Sequence, residues 1–343
     1  MAYVRHHYSL QIMRTQSLAV FAGLIGLTGC STTTHTTGVT ASETTVIPTR
    51  FEGSRIYGRP VLPRGDTVSV FLDTGGGTLV WSAFTSWLGV TIDSIAGNNG
   101  NRIAVASFPQ FATGATLPPV ITKTQWGTSL AIGSPAPRGF AAWISRTTQM
   151  QLGANWFGDR IWTIDYPRKH LLLHSRTQPV TAPPEHRATL YFRTDTSGHR
   201  VAHSPHTDVI VDGDTLQFLI DTGGTIWLSA DALAQVKDGG PSERAASHVQ
   251  SWIFTRWRQR HPDWPVIEHA DLWDDMTIIR VPSVTIAGYQ VGPVWFSVLR
   301  GPDNAPPASA LPFPRFGGTV GGNVLGQFRI VLDYPAARAE FFR

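Results

Sequence analysis

A mostly β fold with short helices, built as two matching lobes, is what this sequence predicts, and three observations carry the prediction. Two apolar runs, Val70-Phe71-Leu72 and Phe218-Leu219-Ile220, each stop abruptly at Asp-Thr-Gly-Gly, spanning Asp73 to Gly76 and Asp221 to Gly224. Such a run reads as a buried strand feeding a tight turn, because the apolar side chains pack and the glycines permit positive φ. The surroundings also repeat. Gly65-Asp66-Thr67-Val68 answers Gly213-Asp214-Thr215-Leu216 at an offset of 148 residues, as do the acids themselves (213 − 65 and 221 − 73). Residues 78–83 answer 225–230 after one extra glycine, Gly77. A later block, Gly153 to Pro167, answers Gly321 to Pro335, each carrying Gly-x-Asn and then Asp-Tyr-Pro (Asp165, Asp333). Finally, 33 Gly and 24 Pro in 343 residues supply the frequent turns that a β-rich chain requires.

Apolar flanks make a lone carboxylate costly at Asp73 or at Asp221, since desolvation disfavours its charged form. Two acids in matching frames are therefore expected to meet.

An apolar fraction of 42% suffices for two lobe cores. The formal charge is only +4, with no concentrated Lys/Arg stripe, so no nucleic-acid partner is expected. The aromatic residues read as core or groove material.

The N-terminus divides from the rest. Arg14 precedes an apolar run, residues 18–27, that is too short to span a bilayer as a helix. It ends in Leu27-Thr28-Gly29-Cys30, which resembles the lipobox of bacterial lipoproteins, in which the cysteine is acylated. The resemblance implies a signal peptide over 1–30, lipidation at Cys30, and membrane anchoring in the bacterial cell envelope. Ser31 fits an outer-membrane address facing the periplasm. An ordinary signal peptide or a buried cysteine is the alternative. Cys30 is the only cysteine, so an intrachain disulfide is excluded. Residues 31–48, dense in Thr and Ser, read as a flexible tether.

The first lobe is assigned to 49–180. Residues 81–88 read as a short helix, and Asn98-Asn99-Gly100-Asn101 as a hairpin turn. The second lobe is assigned to 181–343, with a helix over 231–236. Asp221 to Asp333 spans 112 residues where Asp73 to Asp165 spans 92, so about twenty extra residues are placed within 237–275. Helical periodicity over 245–257 aligns Ile253, Phe254 and Trp257 on one face. A helix packed on the outside is the preferred reading of this insertion, and a cleft wall or lid the second.

Asp-Thr-Gly after an apolar strand, followed by an apolar-apolar-Gly and an Asp-Tyr-Pro strand, resembles the retropepsin and pepsin-like aspartic proteases, here as two half-repeats in one chain. The resemblance covers most of residues 50–343. It implies a bilobal fold of closed β-barrel lobes related by a pseudo-twofold, and a hairpin over 95–108 acting as a flap, a surface hairpin without substrate contact being the equal alternative. It further implies a monomeric aspartic endopeptidase without cofactor, acting on peptide or protein substrates. Asp73 and Asp221 would be the catalytic dyad. Thr74 and Thr222 would bond across the lobes, and Gly75 and Gly223 would let backbone amides approach the carboxyls. One departure stands out. The position after Asp-Thr-Gly, usually Ser, Thr or Ala in the family, is Gly76 and Gly224 here, which removes a hydroxyl that can bond the outer carboxylate oxygen. A non-catalytic peptide-binding envelope lipoprotein on a degenerate protease scaffold is the alternative.

Other chemistry is thinner. His203, His206 and Asp208, and His261, Asp263, Glu268, His269 and Asp271, have spacings a metal could use. They read as solvated surface, so no metal is expected. No Gly-x-Ser-x-Gly elbow is present. Asp165 and Asp333, at strand ends before Pro, read as structural.

Overall fold

The computed structural model describes residues 44–97, 101–124, 127–136, 138–175, 181–300 and 316–343. The signal segment with Cys30, most of the tether, the hairpin tip at 98–100 and the Pro-rich stretch 301–315 lie outside them. Among the described residues no helix is long and apolar enough to cross a membrane.

The chain is mostly β, in three large sheets. The first half forms an eight-stranded sheet. Its strand Val70–Leu72 lies between Arg55–Gly58 and Met150–Leu152, antiparallel to the first and parallel to the second. All three residues of Val70–Leu72 are fully buried. A strand covered on both faces needs a continuous apolar run rather than alternation, which is why this stretch contains no polar residue until Asp73. The second half forms a nine-stranded sheet in which Asp214–Ile220 lies between His206–Val211 and Phe316–Val320, with the same antiparallel and parallel pairing.

The third sheet has six strands and draws on both halves. At its middle Ile161–Asp165 pairs antiparallel with Arg329–Asp333, and Thr163 faces Val331. These are equivalent positions of the repeat, 168 residues apart like Asp165 and Asp333. A strand pairing with its own copy about equivalent residues defines a local twofold, so the duplication read from the sequence is expressed as symmetry. On each side follow the hairpin partners His170–His174 and Arg338–Phe342, then the edge strands Thr44–Ile47 and Arg187–Thr189. The strand orders are open-ended, and no ladder closed into a barrel is traced among the described residues.

Thr44–Ile47 corrects the tether boundary, which the sequence places at 48. Its pairing with His170–His174 buries Ile47 beside Leu171. Of the four residues only Ile47 is buried, and the strand is otherwise held by its backbone pairing.

One contiguous apolar cluster runs through both halves, joining Val70, Trp156 and Ile164 to Ile220, Phe296 and Leu332. The halves also meet through Arg55, which is buried and paired with Glu243 at 2.5 Å. Trp273 packs against Trp143 with ring centres 5.5 Å apart.

The stretch 237–275 begins as the strands Glu243–Ala245 and Ser247–Gln250, and only then becomes the helix Ser251–Arg260. The helical reading from 245 is therefore six residues early. Ile253 and Trp257 are buried in the main core, and Trp257 meets Phe296 edge-on at 5.8 Å. The helix is a packed element of the second half.

Candidate active site

Each acid stands where a central strand runs out. The Asp73 N–H donates to the Leu152 carbonyl at 3.0 Å, and the Asp221 N–H to that of Val320 at 2.9 Å. Both turns are thus fastened to the neighbouring strand by the same bond. The first turn then folds back over Gly153, while in the second half the backbone at Ala246 lies over Gly321. A Cβ at either glycine would lie 2.0 Å from a carbonyl oxygen, that of Gly76 or of Ala246. Neither glycine has positive φ, so close approach explains both.

The two turns are locked to each other. The Thr74 N–H donates to Thr222 Oγ1 at 3.0 Å, and the Thr222 N–H donates to Thr74 Oγ1 at 3.0 Å. Each hydroxyl in turn donates to a strand carbonyl across the interface, Thr74 to Ile220 at 2.6 Å and Thr222 to Leu72 at 2.9 Å. Both threonines are wholly buried. Four reciprocal bonds away from water leave no free donor in the grip, and a buried network satisfied in this way is rigid.

The grip brings the carboxyls together. Gly75 N–H donates to Asp73 Oδ1 at 2.9 Å, and Gly223 N–H to Asp221 Oδ1 at 3.0 Å. A Cβ on Gly223 would lie 2.2 Å from Asp73 Cγ, and one on Gly75 would lie 3.0 Å from Asp221 Oδ1. Bare glycines let each acid reach across to the other half. Asp73 is buried and lies beside Asp221. Burial holds the Asp73 carboxyl well above the usual carboxylate range, and the neighbouring Asp221 charge raises it further. The Gly75 and Gly76 amides oppose the shift without cancelling it. Two acids this close titrate as a pair that shares one proton.

All six residues named from the sequence, Asp73, Thr74, Gly75, Asp221, Thr222 and Gly223, therefore meet at one place. Sequence reasoning missed two others. Gln151 donates from Nε2 to Asp73 Oδ2 at 3.3 Å. His248 is held by Thr319 Oγ1 at 3.1 Å, and desolvation lowers its pKa although the charges of Asp221 and Asp271 oppose the shift. A glutamine interrupting an otherwise apolar buried strand was the available signal for the first. For the second there was none, because His248 is aligned only by strand pairing.

The hairpin assigned to the flap exists, Ile92–Ala96 pairing with Arg102–Ala106, and its tip falls among the residues not described. The metal-like clusters disperse into separate bonds. His203 and His206 are buried rather than solvated. His203 faces Asp159 at 3.6 Å, and His206 Nδ1 donates to the Ser204 carbonyl at 3.0 Å. His206 is pushed down to about 4 by burial. Asp208 accepts from the Tyr191 hydroxyl. His261 pairs with Asp212 and His269 with Asp275, each at 2.7 Å. Asp271 accepts from the N–H groups of Trp227, Trp273 and Asp274. Asp165 and Asp333 each accept an N–H three residues on, closing their turns.

No family model matches this chain, and no curated protein matches it. Among solved structures it is similar to an aspartic proteinase from Irpex lacteus, with 11% identity and a TM-score of 0.43 over 87% of this chain and 97% of that one.

Proposed function

We propose that this protein is an aspartic endopeptidase that hydrolyses peptide bonds through Asp73 and Asp221. The observation that carries the reading is the meeting of the two carboxyls, Asp73 buried and Asp221 half-buried, each against the opposite glycine turn and held by the reciprocal Thr74–Thr222 grip. Sharing one proton, the pair offers a base and an acid side by side. The base takes a proton from the attacking water, and the acid donates to the scissile carbonyl oxygen as the tetrahedral intermediate forms. Aspartic proteases are themselves the type case of two carboxyls with split pKa values, so the mechanism is carried over by that resemblance. Each acid also accepts an N–H from its own turn, Gly75 or Gly223, which fixes its orientation before substrate arrives.

The test is cleavage of a denatured protein or a peptide library by the full chain. Asp73→Asn and Asp221→Asn are each expected to lower turnover by about 10³-fold or more, since each removes a proton-transfer partner. Cleavage that survives either change would sink the dyad.

The same reading places the enzyme on the bacterial envelope, tethered through an acylated Cys30 and acting on peptide or protein substrates in the periplasm. The lipobox-like Leu27 to Cys30 motif supports it. Cys30→Ser is expected to move the protein from the membrane pellet to the soluble fraction, and continued pelleting would count against lipidation.

A further inference from the structure

Gln151 occupies a place where a glutamine is costly. Its strand, Met150–Leu152, runs between Val70–Leu72 and Leu79–Trp81, and all three of its residues are buried. Met150 and Leu152 are the apolar residues such a position calls for. An amide there loses hydration and rotamer freedom unless a partner compensates it.

The partner is Asp73. Nε2 of Gln151 reaches Asp73 Oδ2 at 3.3 Å, while the other oxygen, Oδ1, is held by the Gly75 N–H at 2.9 Å. Both carboxyl oxygens are therefore tied, and the plane of the group is fixed. Gly76 makes the contact possible. A Cβ built there would lie 2.2 Å from Asp73 Oδ2 and 2.2 Å from Gln151 Nε2. Carboxyl and amide meet in the volume that a side chain at 76 would fill. Gly76 lacks positive φ, so space, not backbone conformation, explains the glycine.

The second half has no counterpart. The residue equivalent to Gln151, 168 positions on, is Thr319, and its hydroxyl bonds His248 Nδ1 at 3.1 Å rather than Asp221. A Cβ on Gly224 would collide first with the Ala246 carbonyl at 2.4 Å and then meet Asp221 Oδ2 at 3.3 Å, so among the described residues the nearest obstacle there is backbone and not a side-chain amide.

We propose that Gln151 is the positioning residue of this site, supplying to Oδ2 of Asp73 a hydrogen bond made in the space that a side chain at position 76 would fill. The glycine at 76 and the glutamine at 151 form one matched device, present on one acid of the pair alone. Donation from a neutral amide stabilises the Asp73 carboxylate. It thereby offsets part of the burial that favours the protonated form and leaves the shared proton able to move between the acids. This rests on the reading of Asp73 and Asp221 as a working pair, but its consequence for Asp73 is measurable without catalysis.

The experiment is a carboxyl-¹³C NMR titration of the full chain, with the Asp73 resonance assigned through Asp73→Asn, comparing wild type with Gln151→Leu. Gln151→Met serves as a second, unbranched replacement if the first fails to fold. Loss of a donor to the charged form is expected to raise the Asp73 midpoint by roughly one to two pH units. In peptide cleavage the high-pH limb should move upward in step, with kcat lowered and KM nearly unchanged. An Asp73 midpoint that stays put in folded variants overturns the proposal, whatever the activity does. A midpoint that shifts in a protein that cleaves nothing keeps Gln151 as the positioning residue and instead removes the protease reading.

Discussion

The turn at Asp73 and the turn at Asp221 have the same backbone bonds and different side-chain surroundings. In both, the acid's N–H is tied to the adjacent strand, the N–H of the glycine two residues on caps the carboxyl, and the threonine reaches across. Beyond that they part. Asp73 is buried and bonded to Gln151, whereas Asp221 is half-buried, and the residue equivalent to Gln151, Thr319, bonds His248 instead. Backbone geometry and the threonine grip are shared because either half alone would leave buried donors unsatisfied, and a lost partner there costs about 1–3 kcal/mol. The surrounding side chains answer to no such reciprocal demand. That freedom is what makes two identical tripeptides chemically inequivalent.

The first way to break this comparison is at the glycines that face the opposing acid. A Cβ at 223 would overlap Asp73 Cγ at 2.2 Å, while one at 75 would meet Asp221 Oδ1 at 3.0 Å. Gly223→Ala is therefore expected to lower kcat by about 100-fold, the scale on which an ångström of misplacement acts, and Gly75→Ala by less. Equal losses would mean that the two carboxyls are seated alike.

A second test uses pH and stability. The folded Asp73 carboxyl titrates above its unfolded value near 4, so the native state holds the extra proton in that window. Stability from this group is then intact below about pH 4 and falls as pH rises through the folded value. Asp73→Asn removes that loss. Urea midpoints taken from about pH 4 to about pH 8 should decline more steeply for wild type than for Asp73→Asn. Parallel declines would show that burial does not hold the proton on Asp73.

The smallest contrast lies one element further on. Ser82 and Ser229 are equivalent in the repeat, yet only Ser229 caps its helix, its Oγ accepting from the Ala232 N–H at 3.2 Å ahead of Ala230–Val236. Neither the 3₁₀ turn Ser82–Phe84 nor the helix Thr85–Leu88 has a side-chain cap. Ser229→Ala is expected to cost about 1 kcal/mol in denaturant unfolding, and Ser82→Ala within about 0.5 kcal/mol of nothing. Matching costs would show that the cap is not what stabilises the second half here.

Much of this is legible in the sequence, for a definite reason. The Asp-Thr-Gly turns and the Gly-x-Asn blocks are local patterns whose spacing recurs, and a repeat in sequence becomes a twofold once its equivalent strands pair, as Thr163 and Val331 do. The insertion is harder to read. Glu243–Ala245 is a strand because it pairs with Thr225–Trp227, and Ser247–Gln250 because it is paired on both sides, by Val294–Leu299 and Phe316–Val320. Those partners lie far along the chain, and helical periodicity at 245–257 could not reveal them.

By itself, then, the sequence determined that two acids would stand at the ends of matching buried strands, and that glycine and threonine would follow each. These are local requirements of turns and cores, written in consecutive residues. Only the tertiary structure decided which acid is buried, that an amide from position 151 meets Asp73, and that His206 is buried rather than solvated. Desolvation and hydrogen bonding depend on what the rest of the chain packs around a group, and no short stretch of sequence contains that information.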